Sequence, residues 1–263
     1  MNTKALILAA GYGTRLKPFT DSWPKCLMPI SGTPLLEIWL DRLNEKGIRD
    51  ILINTHHLHR TVDAFLSKPK YANKIRKTYE NNLLGSAGTI RKNIDFINDS
   101  TLLLIHGDNL CLADFNKFYE AHLNRPKQCC MTMMTFDTKD PRSCGIVETD
   151  SSNVLIDFHE KVQNPPSSRA NAAIYFIEKE VINFIKENKK ITDFSMDVIP
   201  HFVSRTFTWH NSNTHIDIGS VNTLLEAQSI LPDTSKIVKY HNDEWDKAFK
   251  SNIIHKKLSM LIK

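Results

Sequence analysis

The sequence has no apolar run approaching the ~18 residues that a membrane span requires, and no basic n-region, apolar core and small-residue cleavage site of an export leader opens it. Its five cysteines are an odd number without a CxxC pair, which fits reduced thiols better than a disulfide framework. A cytoplasmic chain is expected. No H-E-x-x-H and no Cys partner at finger spacing accompanies the histidines His56, His57, His59, His201, His210 and His215, so zinc is not expected, and no G-x-S-x-G elbow offers a nucleophilic serine. Basic residues exceed acidic ones by a formal charge of only +5 and are dispersed. That favours small anionic ligands over nucleic acid. Internal repeats are absent, including the hexapeptide repeats of a left-handed β-helix.

What is present is the length and make-up of a globular protein: 263 residues, 41% hydrophobic and 24% charged. The first 125 residues alternate strand-like and helix-like segments, which predicts a parallel sheet covered by helices. Strands are expected at Lys4–Ala9, Ile51–Thr55 and Leu102–His106, with helices at Pro34–Lys46, Arg60–Ser67, Ala87–Ile97 and Ala113–Leu123. After about residue 127 the rhythm changes to closely spaced β-like runs, a mixed extension of the sheet. Helices at Val181–Glu187, Phe194–Val203 and Val221–Ile230 and a strand at Thr206–His210 complete the body. Residues 1–230 read as one catalytic domain. Residues 231–263 read as a helical tail that packs on the body or on a second subunit of a homo-oligomer.

The chemistry is concentrated near the N-terminus, where the apolar run Ala5–Ala10 breaks into Gly11-Tyr12-Gly13-Thr14-Arg15-Leu16 and then Pro24-Lys25-Cys26-Leu27-Met28-Pro29-Ile30. Ala10, Gly11, Gly13 and Thr14 let main-chain N–H groups approach a polyphosphate without a bulky side chain in the way. Arg15 and Lys25 add positive charge. A dinucleotide fingerprint needs a third glycine where Leu16 stands, and a Walker A loop needs Gly-Lys-Ser/Thr after four residues; neither is met.

The pattern L-A-A-G-x-G-T-R-L-x-P-x-T followed by P-K-x-L-x-P-I resembles that of the sugar-1-phosphate nucleotidylyltransferases. The resemblance runs over roughly residues 3–230 and implies an α/β three-layer sandwich with a mostly parallel, dinucleotide-binding-like mixed sheet. It also implies a Mg²⁺-dependent joining of a nucleoside triphosphate to a sugar 1-phosphate.

Asp108 follows the run LLLIH at the end of a strand, where α/β sheets bind ligands, and a carboxylate there suits Mg²⁺ or caps the next helix. The resemblance pairs it with Asp217 of H-I-D-I-G-S as the second metal ligand, although D-I-G is also a common capping turn. Gly85 and Ser86 open a small-residue segment that the resemblance gives to the nucleotide. Gly145, Glu160, Lys161 and Asn171 fall in segments that it gives to the sugar phosphate. Glu160 and Lys161 are adjacent, so they can share a site only if their strand ends or bulges there. Where the family commonly reads Asn-Ala-Gly, Ala173 replaces the glycine.

PKCLMPI, SCGIVE and FHEKV are most similar to mannose-1-phosphate guanylyltransferases and related heptose enzymes, which points to GTP and mannose 1-phosphate. Glu80, an acceptor-only carboxylate five residues before Gly85, suits the N1–H and amine of guanine. Uridylyl- or cytidylyltransfer to another sugar, amino sugar or phosphocholine stays open. So does a catalytically silent sugar-nucleotide-binding regulator.

Overall fold

The apolar run after the N-terminus folds as the strand Thr3–Leu8, in which Ala5, Leu6 and Ile7 are fully buried. A strand covered on both faces carries such a continuous apolar run, whereas a half-exposed strand alternates. The protein is described by a computed structural model that covers residues 3–230 and 243–261. Its chain divides into two compact units. Among the described residues, one takes 7–83, 107–110, 216–230 and 243–261 and contains the glycine loop; the second takes 3–6, 84–106 and 111–215.

In the loop unit, the strands Ile51–Thr55 and Ile75–Tyr79 pair in parallel, from Ile51 opposite Ile75 to Thr55 opposite Tyr79. The helix Leu35–Glu45 buries Leu35, Leu36, Ile38, Trp39, Leu40 and Leu43. It stops at Gly47, whose φ of 72° is the left-handed conformation that closes a helix and that glycine adopts without strain. The helix His59–Leu66 buries Val62, Phe65 and Leu66, and Val221–Ile230 is helical as expected. Residues 231–242 and 262–263 of the expected tail lie outside the described residues. The rest forms two helices, Glu244–Lys250 and Ile253–Ser259, begun by Asp243 and Asn252 as side-chain caps.

In the second unit, Thr101–His106 and Met131–Asp137 both run antiparallel to Arg169–Ile177, and Thr206–His210 runs parallel to Met131–Asp137. Three of these four strands therefore point the same way. The hairpin Gly145–Thr149 with Leu155–Glu160 joins where Ala170 faces Ile146. The class is mixed α/β with mostly parallel strands, as the sequence predicts.

Two expected helices are corrected. Ala87–Ile97 is broken into Ser86–Lys92 and Ile94–Ile97, because the Asn93 side chain donates to Thr89 O (2.8 Å) and ends the first piece. Phe194–Val203 is a π-turn, Phe194–Val198, followed by a 3₁₀ turn, Ile199–Phe202; Pro200, without an N–H, cannot continue an α-helix.

Candidate active site

The glycine loop is fixed from three sides within its own unit. Asn54, buried in the strand Ile51–Thr55, accepts a hydrogen bond from Ala9 N–H (2.7 Å), and His57 N–H donates to Ala10 O (3.4 Å). The Thr20 hydroxyl donates to Gly13 O at 2.8 Å. Gly13 has φ 64°, and a Cβ there would stand 2.7 Å from the Thr20 methyl. Folding alone thus requires Gly13. Gly11 differs: a Cβ on it would meet nothing within 4 Å. Its bare backbone faces open space, which is what close approach of a ligand needs. Thr14 and Arg15 follow, exposed, in a 3₁₀ turn anchored by the buried Leu16.

Lys25 is the electrostatic centre. Its turn, Lys25–Leu27, buries Lys25, Cys26 and Leu27, and the Lys25 side chain is only 10% exposed. Its ammonium donates to Asp108 Oδ2 (2.6 Å) and to Asp217 Oδ1 (3.1 Å). Arg15 Nη2 reaches the other Asp217 oxygen at 3.3 Å. Burial alone would lower the Lys25 pKa, but the two carboxylates outweigh it and hold the ammonium above its ordinary value. The adjacent Cys26 thiol, with no such compensation, is pushed up to about 12 by burial.

Asp108 and Asp217 are brought together by the backbone, since Ile218 N–H donates to Asp108 O (3.1 Å). The glycines beside them are sterically required: Gly219 makes room for Asp217 and Arg15, and Gly107 for Ile7 and Leu8. A Cβ on Gly219 would lie 2.6 Å from Arg15 Nη2 and 2.7 Å from Asp217 Oδ2, and one on Gly107 would lie 2.8 Å from the Ile7 side chain. Asn54 escaped sequence reading, and a lone amide inside an apolar strand was its signal.

Glu80 is 1% exposed and accepts from Asn54 Nδ2 (3.0 Å). It therefore stands directly behind the side chain that holds Ala9. His56 bridges Glu80 O (2.7 Å) and the Tyr12 hydroxyl (2.9 Å), His57 bonds Thr20 O, and His59 bonds Asp63.

The remaining candidates lie in the second unit. Gly85, at φ 75°, has no room for a Cβ, which would come 2.4 Å from Thr192 O. Ser86 Oγ accepts from Phe194 N–H (2.7 Å), and Ala87 N–H donates to the same Thr192 carbonyl (2.9 Å). The strand Leu155–Glu160 ends at Glu160, and Lys161 turns to φ 50°. The Lys161 ammonium consequently comes back to Glu160 at 3.1 Å. A Cβ on Gly145 would collide with Glu160 Oε2 at 2.5 Å, so this glycine admits that carboxylate.

Asn171 starts a bulge: its side chain accepts from Ala173 N–H (2.9 Å) and donates to the Tyr175 hydroxyl (2.6 Å). Ala173 sits at φ 55°, the conformation for which a glycine is the natural residue. A further acidic group, Glu148 with Asp157 and His159, lies on the hairpin, its potential ligand atoms within 4.8 Å of one another. Among the described residues, no helix is long and apolar enough to cross a membrane.

A UTP–glucose-1-phosphate uridylyltransferase of Synechocystis sp. is 30% identical across 85% of this chain and 62% of its own length. A mannose-1-phosphate guanylyltransferase of Mycobacterium tuberculosis is 30% identical across 72% of this chain and 52% of its own. The chain thus spans between half and two thirds of these relatives. A D-glycero-α-D-manno-heptose 1-phosphate guanylyltransferase of Aneurinibacillus thermoaerophilus, 27% identical, is matched over 98% of its length and 87% of this chain. Among solved structures, HddC from Yersinia pseudotuberculosis superposes with a TM-score of 0.73 at 26% identity, covering 87% of this chain and 99% of that one. Residues 4–234 match the nucleotidyl transferase family, and the chain belongs to it.

Proposed function

We propose that the protein transfers a nucleotidyl group from a nucleoside triphosphate, GTP by preference, to a sugar 1-phosphate of the manno type, mannose 1-phosphate or a heptose relative, and releases pyrophosphate. The observation that carries this reading is the Lys25 ammonium held between Asp108 and Asp217, with Arg15 beside them, in the unit that presents the open backbone of Gly11. Phosphoryl-type transfer needs little covalent chemistry from the protein and much positioning and charge stabilisation. A phosphate oxygen of the sugar 1-phosphate bonds to the α-phosphorus in line, while the bond from that phosphorus to the bridging oxygen breaks and pyrophosphate takes the electron pair.

Lys25 and Arg15 hold the triphosphate, and main-chain N–H groups of Ala10, Gly11, Gly13 and Thr14 donate to its oxygens. Lys161 neutralises the attacking phosphate. Glu160, Asn171 and Gly145 receive the sugar, while Gly85 and Ser86, with Glu80 as acceptor, serve the base.

Mg²⁺ would be held by Asp108 and Asp217. Their fit rests on two facts: both carboxylates already converge on one cation, and their side chains are 35% and 46% exposed, leaving room for water and phosphate oxygens in an all-oxygen set. Bound there, the ion supplies charge neutralisation at the α-phosphate.

Guanine is favoured because two of the relatives are guanylyltransferases, one of them matched over nearly its whole length. The uridylyltransferase relative supports UTP as the second reading. Pyrophosphate release is the deciding assay, with GTP, UTP, CTP, dTTP and ATP each offered with mannose, heptose and glucose 1-phosphates. Faster turnover with UTP would replace the guanylyl assignment. No turnover with any pair would leave a binding protein.

A further inference from the structure

Trp23 stands two residues before Lys25, and its indole N–H donates to Leu27 O at 2.8 Å, closing a loop around the turn that carries Lys25. The outer face of this indole is covered by the C-terminal helix Glu244–Lys250. Phe249 stacks on Trp23 with centroids 5.7 Å apart and planes 26° apart; Trp245 stacks in turn on Phe249 at 5.0 Å and 17°. Phe65 meets Trp245 edge-on at 4.9 Å.

The helix is held at one register by an ion pair. Lys68, with a side chain only 1% exposed, donates to Asp246 at 2.5 Å and lies 3.7 Å from Asp243. Its ammonium also sits 4.9 Å from the Trp245 ring centre. An ammonium so deeply buried tolerates no loss of its carboxylate, so a shift of the helix by one turn is strongly disfavoured.

We propose that the helix Glu244–Lys250 is a positioning element for Lys25. Phe249 and Trp245 form the wall against which Trp23 rests, and Trp23 fixes the turn that presents the ammonium to Asp108 and Asp217. The inference rests on the role given to Lys25 in nucleotidyl transfer. A chain without this wall keeps its sheet and its glycine loop but loses the fixed direction of one side chain.

Cys26 gives a readout that does not depend on activity. It lies inside the same turn, is 2% exposed, and has its thiol pushed up to about 12, so it labels only when the turn opens. Cys111, also 2% exposed, sits in the other unit and reports general unfolding.

The experiment is alkylation of the full-length protein by iodoacetamide, with each cysteine followed by peptide mass spectrometry, in wild type, Phe249→Ala, Phe249→Leu and Asp246→Asn. Phe249→Ala and Asp246→Asn are expected to speed Cys26 labelling by about tenfold or more, as local opening becomes easier, with Cys111 unchanged. Phe249→Leu, which keeps apolar volume, should restore most of the protection. In pyrophosphate release the alanine variant should lose kcat while KM for the sugar 1-phosphate stays within about twofold.

Cys26 protection equal to wild type in every variant overturns the proposal. So does Cys26 labelling that rises only together with Cys111. If Phe249→Ala does not fold, Phe249→Leu and Asp246→Asn decide by the same labelling. A wild type that releases pyrophosphate from no substrate pair refutes the proposed reaction instead, and the labelling still shows whether the helix holds the turn.

Discussion

Replacing Lys25 by methionine separates catalysis from folding, because the two demands on this side chain differ in size. The ammonium is nearly enclosed, yet its partners Asp108 and Asp217 are 35% and 46% exposed, so water can take over their solvation when it is gone. Two such partly screened pairs are together worth about 1–2 kcal/mol of stability. In a chain of this size that lowers Tm by only a few degrees, roughly 2–4 °C per kcal/mol. The methionine stem also retains most of the apolar packing of the lysine. By contrast, removing one preorganised group that stabilises developing charge costs about 10²–10³ in kcat.

Lys25→Met should therefore remain folded at 25 °C, by circular dichroism and thermal melting, while pyrophosphate release falls at least about 100-fold. Lys25→Arg should not restore it, since both carboxylates converge on a single nitrogen and a planar fork presents its donors differently. Arg15, with a side chain 65% exposed, is the solvent-facing partner of Asp217. A variant Lys25→Met with kcat within about threefold of wild type would refute the assignment of transition-state charge to this side chain.

Four further outcomes are expected. Asp217→Asn keeps the shape of a residue that meets both Lys25 and Arg15 but removes its charge, and should cut turnover by about 10² or more and weaken the Mg²⁺ dependence; an unchanged metal titration would exclude it as a ligand. Lys161→Ala should raise KM for the sugar 1-phosphate while leaving KM for the triphosphate in place, and steady-state kinetics that show the reverse would move Lys161 to the nucleotide. Ala173→Gly removes a left-handed strain of about 1–2 kcal/mol and adds about 0.5–1 kcal/mol of chain entropy, so urea unfolding should show a stability equal to or slightly above wild type; a clear loss would mean that the Ala173 methyl packs better than its backbone suggests. Burial lowers the pKa of His122, so the stability its neutral form provides is complete above the ordinary histidine value of about 6.5 and is lost as pH falls from there toward the folded value; His122→Gln should flatten that part of the stability profile, and parallel profiles would refute it.

Much of the fold could be read locally because local rules agree with the tertiary outcome. Thr3–Leu8 and Ile51–Thr55 are each built on a continuous apolar stretch, Ala5–Leu8 and Ile51–Ile53, and Leu35–Glu45 carries its buried residues at helical spacing and stops near a glycine, so each announces itself. Ile75–Tyr79 does not. Its sequence, IRKTY, is mostly polar and largely exposed, and only its pairing with Ile51–Thr55 makes it a strand. The break at Asn93 and the π-turn at Phe194–Val198 escaped for another reason. Helical periodicity describes which face is apolar, and it is insensitive to one side chain capturing a carbonyl or one proline withholding an N–H.

The residue types of the candidate site were legible, but their pairing was not. Nothing local to Pro24-Lys25-Cys26 says that the ammonium will meet carboxylates 83 and 192 residues later in the chain, because those distances are set by the ends of separate strands. The family resemblance pairs Asp108 with Asp217 at a metal and the glycine-loop motif gives Lys25 to a phosphate, whereas in the folded chain they neutralise one another. That follows from charge: an ammonium buried to this degree needs carboxylates at hand, and half-exposed carboxylates can hold it and still turn an oxygen to an incoming cation. Glu80 shows the same limit from the other side. As an acceptor placed before Gly85 it suits a base, yet in the fold it first meets the Asn54 amide, which in turn holds Ala9 at the mouth of the glycine loop. A buried carboxylate must be satisfied before it can recognise anything, and here the group that satisfies it is the one that sets the loop.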